Sequence, residues 1–125
     1  MYYHKLDVRD EFAINYKFSQ LKKEGFEFDI ILDDSTHNFN DQIRIIKNCY
    51  KYLKPGGHLI IEDIYSFDEN YSEENFYKEL KPFTKYFEYI KIIDPDHFNK
   101  FTLGYDNNRL IILVRNDLKS NNIEQ

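Results

Sequence analysis

Two short apolar runs that end in acids are the clearest feature of the hydrophobic pattern. Residues 28–34 read Phe-Asp-Ile-Ile-Leu-Asp-Asp, and residues 59–63 read Leu-Ile-Ile-Glu-Asp. Runs of Ile and Leu without polar alternation are typical of strands that are buried on both faces in the middle of a parallel sheet. The pattern therefore predicts two buried strands, each with acids at its carboxyl end.

The segment between the two runs has the pattern of one helix. Its apolar residues recur at spacings of four and three, which places them on a single helical face. These residues are Phe39, Ile43, Ile46, Tyr50 and Leu53. Asn38 or Asn40 is available as the N-cap. The Lys-Pro-Gly-Gly sequence at residues 54–57 is expected to end the helix and to lead into a strand at residues 58–61.

This strand–helix–strand order predicts that the acids meet in space. A right-handed crossover makes the two strands parallel and adjacent. The carboxyl ends of parallel strands lie at one edge of the sheet, where open α/β folds bind their ligands. The acids expected at this edge are Asp33, Asp34, Glu62 and Asp63. Two acid pairs that converge favour a site for a metal ion or a polar ligand over solvated strand ends.

The amino-terminal part of the chain predicts the end of a strand and then a helix. Residues 2–8 have the pattern of a strand tail. Asp10 can cap a helix that runs to about Lys23 before Gly25 ends it. The alternation of apolar and polar residues over 12–18 would also suit a strand, so the pattern leaves both structures open there.

The carboxyl-terminal part predicts a loop, a helix and two strands. Residues 64–71 are expected to form a loop over the acidic edge, and Ser72 followed by two glutamates predicts a helix that Pro82 ends or bends. Residues 86–93 and 110–114 predict strands joined only by a loop, and hence an antiparallel pair at one side of the sheet. Three aromatic residues of the first loop suit either an acceptor site or, more simply, a surface loop: Tyr65, Phe67 and Tyr71.

Composition and charge narrow the classes of function. A chain of 125 residues predicts one domain, over residues 1–116, with a polar tail over 117–125. The net charge of −5 comes from interspersed acids and bases, which gives no basic stripe for nucleic acid. Cys49 is the single cysteine and is expected to be a packing residue. Because no bilayer-spanning run and no signal peptide are evident, we expect a cytoplasmic protein without membrane partners.

The order of elements and their acidic motifs resembles a known family. The pattern is a strand ending in Asp-Asp-x-x-His, a helix, Leu-Lys-Pro-Gly-Gly, a strand ending in Glu-Asp, a helix and a final antiparallel pair. It resembles the carboxyl-terminal half of a class I S-adenosylmethionine-dependent methyltransferase. Over residues 4–115 the chain is most similar to metal-dependent sugar O-methyltransferases that act on macrolides. The resemblance implies an α/β, Rossmann-like methyltransferase fold.

The resemblance also implies roles for individual residues. Three acids match the family's Mg²⁺ ligands: Asp34, Glu62 and Asp63. His37 matches the general base that takes a proton from the hydroxyl of a sugar or polyol acceptor. Asp7 falls where such enzymes place an acid that contacts the adenine of S-adenosylmethionine, and Asp33 is assigned to the loop or the cofactor. Carboxylates suit Mg²⁺, and histidine side chains ordinarily titrate near neutral pH.

The chain departs from the family pattern in two places. Ser35 stands where the family has Gly, which would cost on the order of 1 kcal/mol if that position has a positive φ. None of the four glycines forms the Gly-x-Gly of the loop that holds the methionine part of the cofactor. We therefore expect an incomplete fold that lacks the amino-terminal Gly-rich strands.

An incomplete fold would leave the strand at residues 28–32 as an apolar edge, which usually pairs or aggregates. The expected partner is a homodimer mate or the missing amino-terminal half as a separate chain, unless the chain is a truncated relic. Two rival functions stay open. One is a catalytically inactive remnant that serves as a binding or scaffold partner. The other is a Mg²⁺-dependent phosphotransfer or hydrolase domain, which would need a phosphate-binding Lys or Thr at a third strand end.

Overall fold

The structure is a computed structural model that describes residues 3–65, 68–94 and 109–118. In this part of the chain the helices and strands are α1 (Glu11–Lys23), β1 (Phe28–Asp33), α2 (Phe39–Cys49), β2 (Leu53–Ile64), α3 (Glu73–Glu79), β3 (Phe87–Ile93) and β4 (Arg109–Arg115). Short 3₁₀ helices lie at Tyr50–Tyr52, Glu69–Tyr71 and Lys81–Tyr86. The predicted order of elements from the first helix onward is confirmed.

The three α-helices begin at the caps that the sequence predicts. The side chains of Asp10, Asn38 and Ser72 accept hydrogen bonds from backbone N–H groups in the first turns of α1, α2 and α3. Such caps satisfy donors that have no partner within the helix. Gly25 follows α1 with a φ of +95°, a left-handed conformation that Gly adopts without a Cβ clash. The helix over residues 12–18 is therefore confirmed over the strand.

The four strands form one open sheet in the order β1-β2-β4-β3. β1 and β2 are parallel, as the crossover argument predicts, while β4 is antiparallel to both of its neighbours. The predicted antiparallel pair at one side of the sheet is therefore confirmed. The described chain is a mixed α/β fold with one parallel strand pair.

One face of the sheet carries the core. A row of apolar side chains crosses all four strands in register: Ile31, Leu59, Leu113 and Ile90. The last three of these are buried in one cluster with Ile14 of α1, Ile46 of α2 and Phe76 of α3. All three helices therefore contribute to a single core against this face. Phe76 packs edge to face on Phe39, with ring centroids 4.9 Å apart, which ties α3 to the start of α2.

β1 is an edge strand, and the prediction that it is buried on both faces is wrong. Ile30 is 63% exposed and Leu32 is 56% exposed, whereas Asp33 is 7% exposed. The side chains of Ile31 and Asp33 alternate with Ile30 and Leu32 and lie on the opposite face. An apolar run does not show how many other strands and helices cover it. For this reason the sequence of β1 is also typical of a central strand.

β2 begins earlier than the sequence suggests. Its predicted start is residue 58, but the strand begins at Leu53 and includes the Pro-Gly-Gly sequence. The register against β1 shifts in this stretch: Phe28 pairs with Leu53, and Ile30 pairs with His58. Residues 54–57 therefore form an irregular, bulged part of the strand rather than a separate turn.

The prediction of an amino-terminal strand is also wrong for the residues described, since residues 3–10 contain no strand. Asp7 accepts hydrogen bonds from the backbone N–H and side chain of Arg9, at 3.0 Å each, which forms a local turn instead. Phe67, the turn before residue 109 and the tail from residue 119 lie outside the described residues. In the part of the chain that is described, every helix is too short or too polar to cross a membrane.

Candidate functional site

Three of the predicted site residues meet at the carboxyl ends of β1 and β2. His37 Nε2 lies 2.8 Å from Asp63 Oδ2 and 3.8 Å from Asp34 Oδ1. One ligand atom from each residue lies within 4.8 Å of the other two. The side chain of Asp63 is 18% exposed, while those of His37 and Asp34 are 38% and 61% exposed. We call Asp34, His37 and Asp63 the acid–histidine cluster.

The backbone brings these side chains together through two left-handed residues. His37 has a φ of +62° and Asp63 has a φ of +64°. In the described chain they are the only non-glycine residues with positive φ, so Ser35 avoids the strain that its replacement of a family Gly implied. Left-handed backbone is uncommon for residues with a Cβ, although Asp and His adopt it more readily than most.

Two buried side chains hold the carbonyl groups of these left-handed residues. The Tyr71 hydroxyl donates a hydrogen bond of 2.7 Å to the carbonyl of His37. Gln42 Nε2 donates to the carbonyls of Glu62 and Asp63, at 3.2 Å and 3.3 Å. Tyr71 is 7% exposed and Gln42 is 1% exposed. The cluster is therefore attached to α2 and to the 3₁₀ helix before α3, as well as to the two strands.

The loop between β1 and α2 is fixed by its own hydrogen bonds. The Thr36 hydroxyl donates to Asp41 Oδ2 at 2.7 Å, and Arg44 Nη1 lies 2.6 Å from Asp41 Oδ1. Asn38 caps α2 directly after His37. These contacts order the residues on both sides of the cluster's histidine.

The electrostatics of the site are those of acids held close together. Partial burial raises the pKa of Glu62, and the neighbouring carboxylates of Asp34 and Asp63 raise it further. Burial and Asp34 likewise raise the pKa of Asp63, against the opposing effect of His37. Glu62 therefore lies within electrostatic reach of the cluster, as predicted, although it is not one of the three residues whose ligand atoms meet. A cation placed here would relieve this repulsion.

Asp33 does not belong to the acid–histidine cluster. It is buried and accepts a hydrogen bond from the Ser35 hydroxyl. Burial raises the pKa of Asp33, and the bonds from Ser35 oppose that rise. The side chain thus orders the loop that carries Asp34, which is one of the two roles predicted for it. A direct role in cofactor binding remains a prediction.

Asp7 lies in the exposed turn before α1. Its ion pair with Arg9 lowers the pKa of Asp7, and a weaker attraction to Arg44 adds to this. Arg44 belongs to α2, where it pairs with Asp41. Contact between Asp7 and adenine remains a prediction.

Cys49 is buried in the core at 2% exposure, and burial raises the pKa of its thiol to about 12. At neutral pH the group is a protonated packing residue and not a nucleophile. Its expected role as a packing residue is confirmed.

Sequence reasoning missed the two residues that hold the carbonyls. Tyr71 was expected on a surface loop, and no local pattern shows that its hydroxyl reaches a residue 34 positions earlier. Gln42 left a weak signal, because it falls three residues after Phe39 and four before Ile46, on the predicted buried face of the helix. A polar residue at such a position needs a buried partner.

The arrangement is chemically suited to a divalent cation and to proton transfer. Carboxylate oxygens of Asp34 and Asp63, with Glu62 nearby, are the hard ligands that Mg²⁺ and Mn²⁺ prefer. The imidazole of His37 can accept a proton from a group bound next to these acids. Comparison of the chain with models of known protein families and with curated proteins finds no match.

Proposed function

We propose that this chain carries the metal-binding and acid–base part of an S-adenosylmethionine-dependent O-methyltransferase. The observation that supports the proposal best is the meeting of Asp34, His37 and Asp63 at the carboxyl ends of two parallel strands. This is the edge where open α/β sheets bind ligands. The proposed acceptor is a sugar or another small polyol, and the proposed fold is a Rossmann-like methyltransferase domain.

In this proposal Asp34 and Asp63, with Glu62, hold one Mg²⁺ ion. When bound, the ion supplies positive charge that favours loss of a proton from an acceptor hydroxyl. His37 would take that proton at Nδ1, because its Nε2–H donates to Asp63 and orients the ring beforehand. Once bound by the assembly, S-adenosylmethionine would supply the methyl group for the acceptor oxygen, and the electron pair of its broken carbon–sulfur bond would stay on sulfur in S-adenosylhomocysteine.

The proposal also includes a partner for cofactor binding. The chain has no Gly-x-Gly sequence to hold the methionine part of S-adenosylmethionine. Among the described residues β1 has a strand neighbour on one side only, and Ile30 and Leu32 are exposed on it. A second copy of the chain, or a separate chain with Gly-rich strands, would pair with this edge. The proposed roles of Asp7 and Asp33 in cofactor binding depend on that assembly.

Isothermal titration of the purified chain with S-adenosylmethionine, with and without Mg²⁺, tests the proposal. We expect a heat of Mg²⁺ binding in the wild type that is lost in Asp34→Asn and kept in Asp94→Asn. Asp94 is an exposed acid that follows β3 and serves as the matched control. We expect micromolar binding of S-adenosylmethionine when the chain forms a dimer or when its partner is present.

The outcomes separate the parts of the proposal. Binding of Mg²⁺ without S-adenosylmethionine would leave the metal site intact and assign the cofactor to another chain. Binding of neither ligand would rule out the enzyme and favour a catalytically inactive binding or scaffold role. Equal Mg²⁺ heats in Asp34→Asn and the wild type would place the ion elsewhere.

A further inference from the structure

His37 and Asp63 are the two non-glycine residues of the described chain with a left-handed backbone, and their side chains lie 2.8 Å apart. His37 lies in the loop after β1, and Asp63 lies at the end of β2. Conformations of this kind persist where surrounding contacts hold them in place. The side chains that hold them are therefore part of the site's construction.

Tyr71 holds the first of these residues. Its hydroxyl donates to the His37 carbonyl, and its ring packs edge to face on Phe39 and Tyr65, with centroids 5.5 Å and 5.1 Å away. Arg109 Nη2 donates to the carbonyl of Tyr65 at 2.5 Å and to that of Tyr71 at 3.4 Å. The first residue of β4 thus holds the backbone of Tyr65 and Tyr71 next to the site.

Gln42 holds the second of these residues, Asp63. Its Nε2 reaches the Asp63 carbonyl, whereas its Oε1 is buried without a hydrogen-bond partner in the described structure. A buried polar atom without a partner destabilises a fold, whereas Nε2 of the same side chain satisfies the carbonyls of Glu62 and Asp63. The presence of Gln42 is explained better by what its amide group holds than by packing.

We propose that Tyr71 and Gln42 are positioning residues of the acid–histidine cluster, each fixing the carbonyl of one left-handed residue so that His37 and Asp63 face the same ligand. The effect on metal binding rests on the proposed function, but the effect on the geometry of His37 does not. Groups that orient metal ligands typically change metal affinity by about 10- to 100-fold when they are removed.

The first test compares Tyr71→Phe with Tyr77→Phe. Each substitution removes one hydroxyl that donates to a backbone carbonyl, because Tyr77 donates to the carbonyl of Ile90 at 2.8 Å. We expect Mn²⁺ affinity to fall about 10-fold in Tyr71→Phe and to stay unchanged in Tyr77→Phe. Equal affinities in both variants and the wild type would overturn the role of Tyr71.

The second test uses Gln42→Leu, which keeps most of the volume and removes both polar atoms. The substitution removes an unpartnered oxygen but also the donor to two carbonyls, so we expect only a small change in unfolding stability, while Mn²⁺ affinity falls about 10-fold or more. This split between stability and affinity is one that a merely structural side chain would not produce. Loss of stability and affinity in proportion would overturn the role of Gln42.

NMR of the metal-free chain tests the roles of Tyr71 and Gln42 independently of metal binding. In the wild type, the His37 amide and ring signals in NMR spectra should show one ordered conformation. Tyr71→Phe and Gln42→Leu should shift these signals, with Tyr77→Phe as the control. Spectra unchanged in both variants would overturn the inference, whereas a wild type that binds no Mn²⁺ would overturn only the proposed function.

Discussion

Asp33 and Asp34 are consecutive residues with opposite environments. The side chain of Asp33 is buried against the loop and bonded to Ser35, whereas that of Asp34 is 61% exposed and lies 3.8 Å from the imidazole of His37. β1 ends at Asp33, so Asp34 already belongs to the loop that leads to α2. The first acid orders the loop, and the second faces the other acids of the site.

The crowding of acids predicts how Glu62 affects stability. Burial, Asp34 and Asp63 raise the pKa of Glu62 in the folded chain above its value in the unfolded chain. At a pH between these two pKa values, the folded state therefore binds more protons than the unfolded state. Stability from this group is therefore lost with rising pH and regained on acidification. Glu62→Gln should raise the free energy of unfolding near neutral pH by up to about 0.5 kcal/mol, since solvent screens most of the repulsion.

Urea denaturation near neutral pH and at about pH 4 measures this gain, which should vanish at the lower pH because Glu62 is then largely protonated. Glu88→Gln, at an exposed position of β3, is the control. A gain of equal size at both pH values would contradict the assignment of the effect to ionised Glu62.

The close approach of β1 and β2 predicts different costs for two adjacent glycines. A Cβ on Gly57 would lie 2.8 Å from the Lys54 carbonyl oxygen and 3.1 Å from that of Asp29. Gly57→Ala should therefore destabilise the fold by about 1–3 kcal/mol in urea denaturation, because backbone has to move. Gly56 has a φ of +80° and open space around it, so Gly56→Ala should cost only about 1 kcal/mol of conformational strain. A neutral Gly57→Ala would be inconsistent with this packing.

Burial of Cys49 predicts an unreactive thiol. Because its pKa is raised to about 12 and the side chain is 2% exposed, a disulfide reagent should label the native chain only as fast as the fold opens. Labelling followed by absorbance should be slow in buffer and complete within seconds in concentrated urea. Rapid labelling of the native chain would show that the thiol is accessible.

The exposed edge of β1 predicts association. Leu32 is 56% exposed on a strand that has no second neighbour in the described part of the chain, so the chain should self-associate with rising concentration unless a partner strand is supplied. Leu32→Lys should reduce association in sedimentation velocity while changing unfolding stability by less than about 0.5 kcal/mol. Tyr89→Lys, at a 49% exposed position of the opposite edge strand, is the matched control. Equal suppression by both variants would argue against β1 as the contact.

Local chemistry was enough to predict most of the fold. Asp10, Asn38 and Ser72 mark the helix starts because a cap is a short-range hydrogen bond. The convergence of Asp34 and Asp63 followed from strand ends and a parallel crossover, which the register of β1 and β2 confirms. These features depend on neighbouring residues or on one topological rule.

Features that depend on distant residues were not predictable in the same way. The exposure of Ile30 depends on which strands lie beside β1, and the sequence of β1 itself does not show which strands these are. Tyr71 and Gln42 were missed as site residues because each bonds to a carbonyl at least 20 positions away. In place of the strand expected near the amino terminus, the described residues form a local turn in which the Arg9 N–H donates to Asp7.

A Mn²⁺ titration followed by NMR of the histidine rings tests directly whether the acid–histidine cluster binds a divalent metal ion. Mn²⁺ shares the oxygen ligands of Mg²⁺ and broadens signals only at short range. We expect selective broadening of His37, with His4 and His58 as internal references, reversal by excess Mg²⁺, and no such broadening in Asp34→Asn. Uniform broadening of the three rings, or none, would contradict a metal site at Asp34 and Asp63 beside His37.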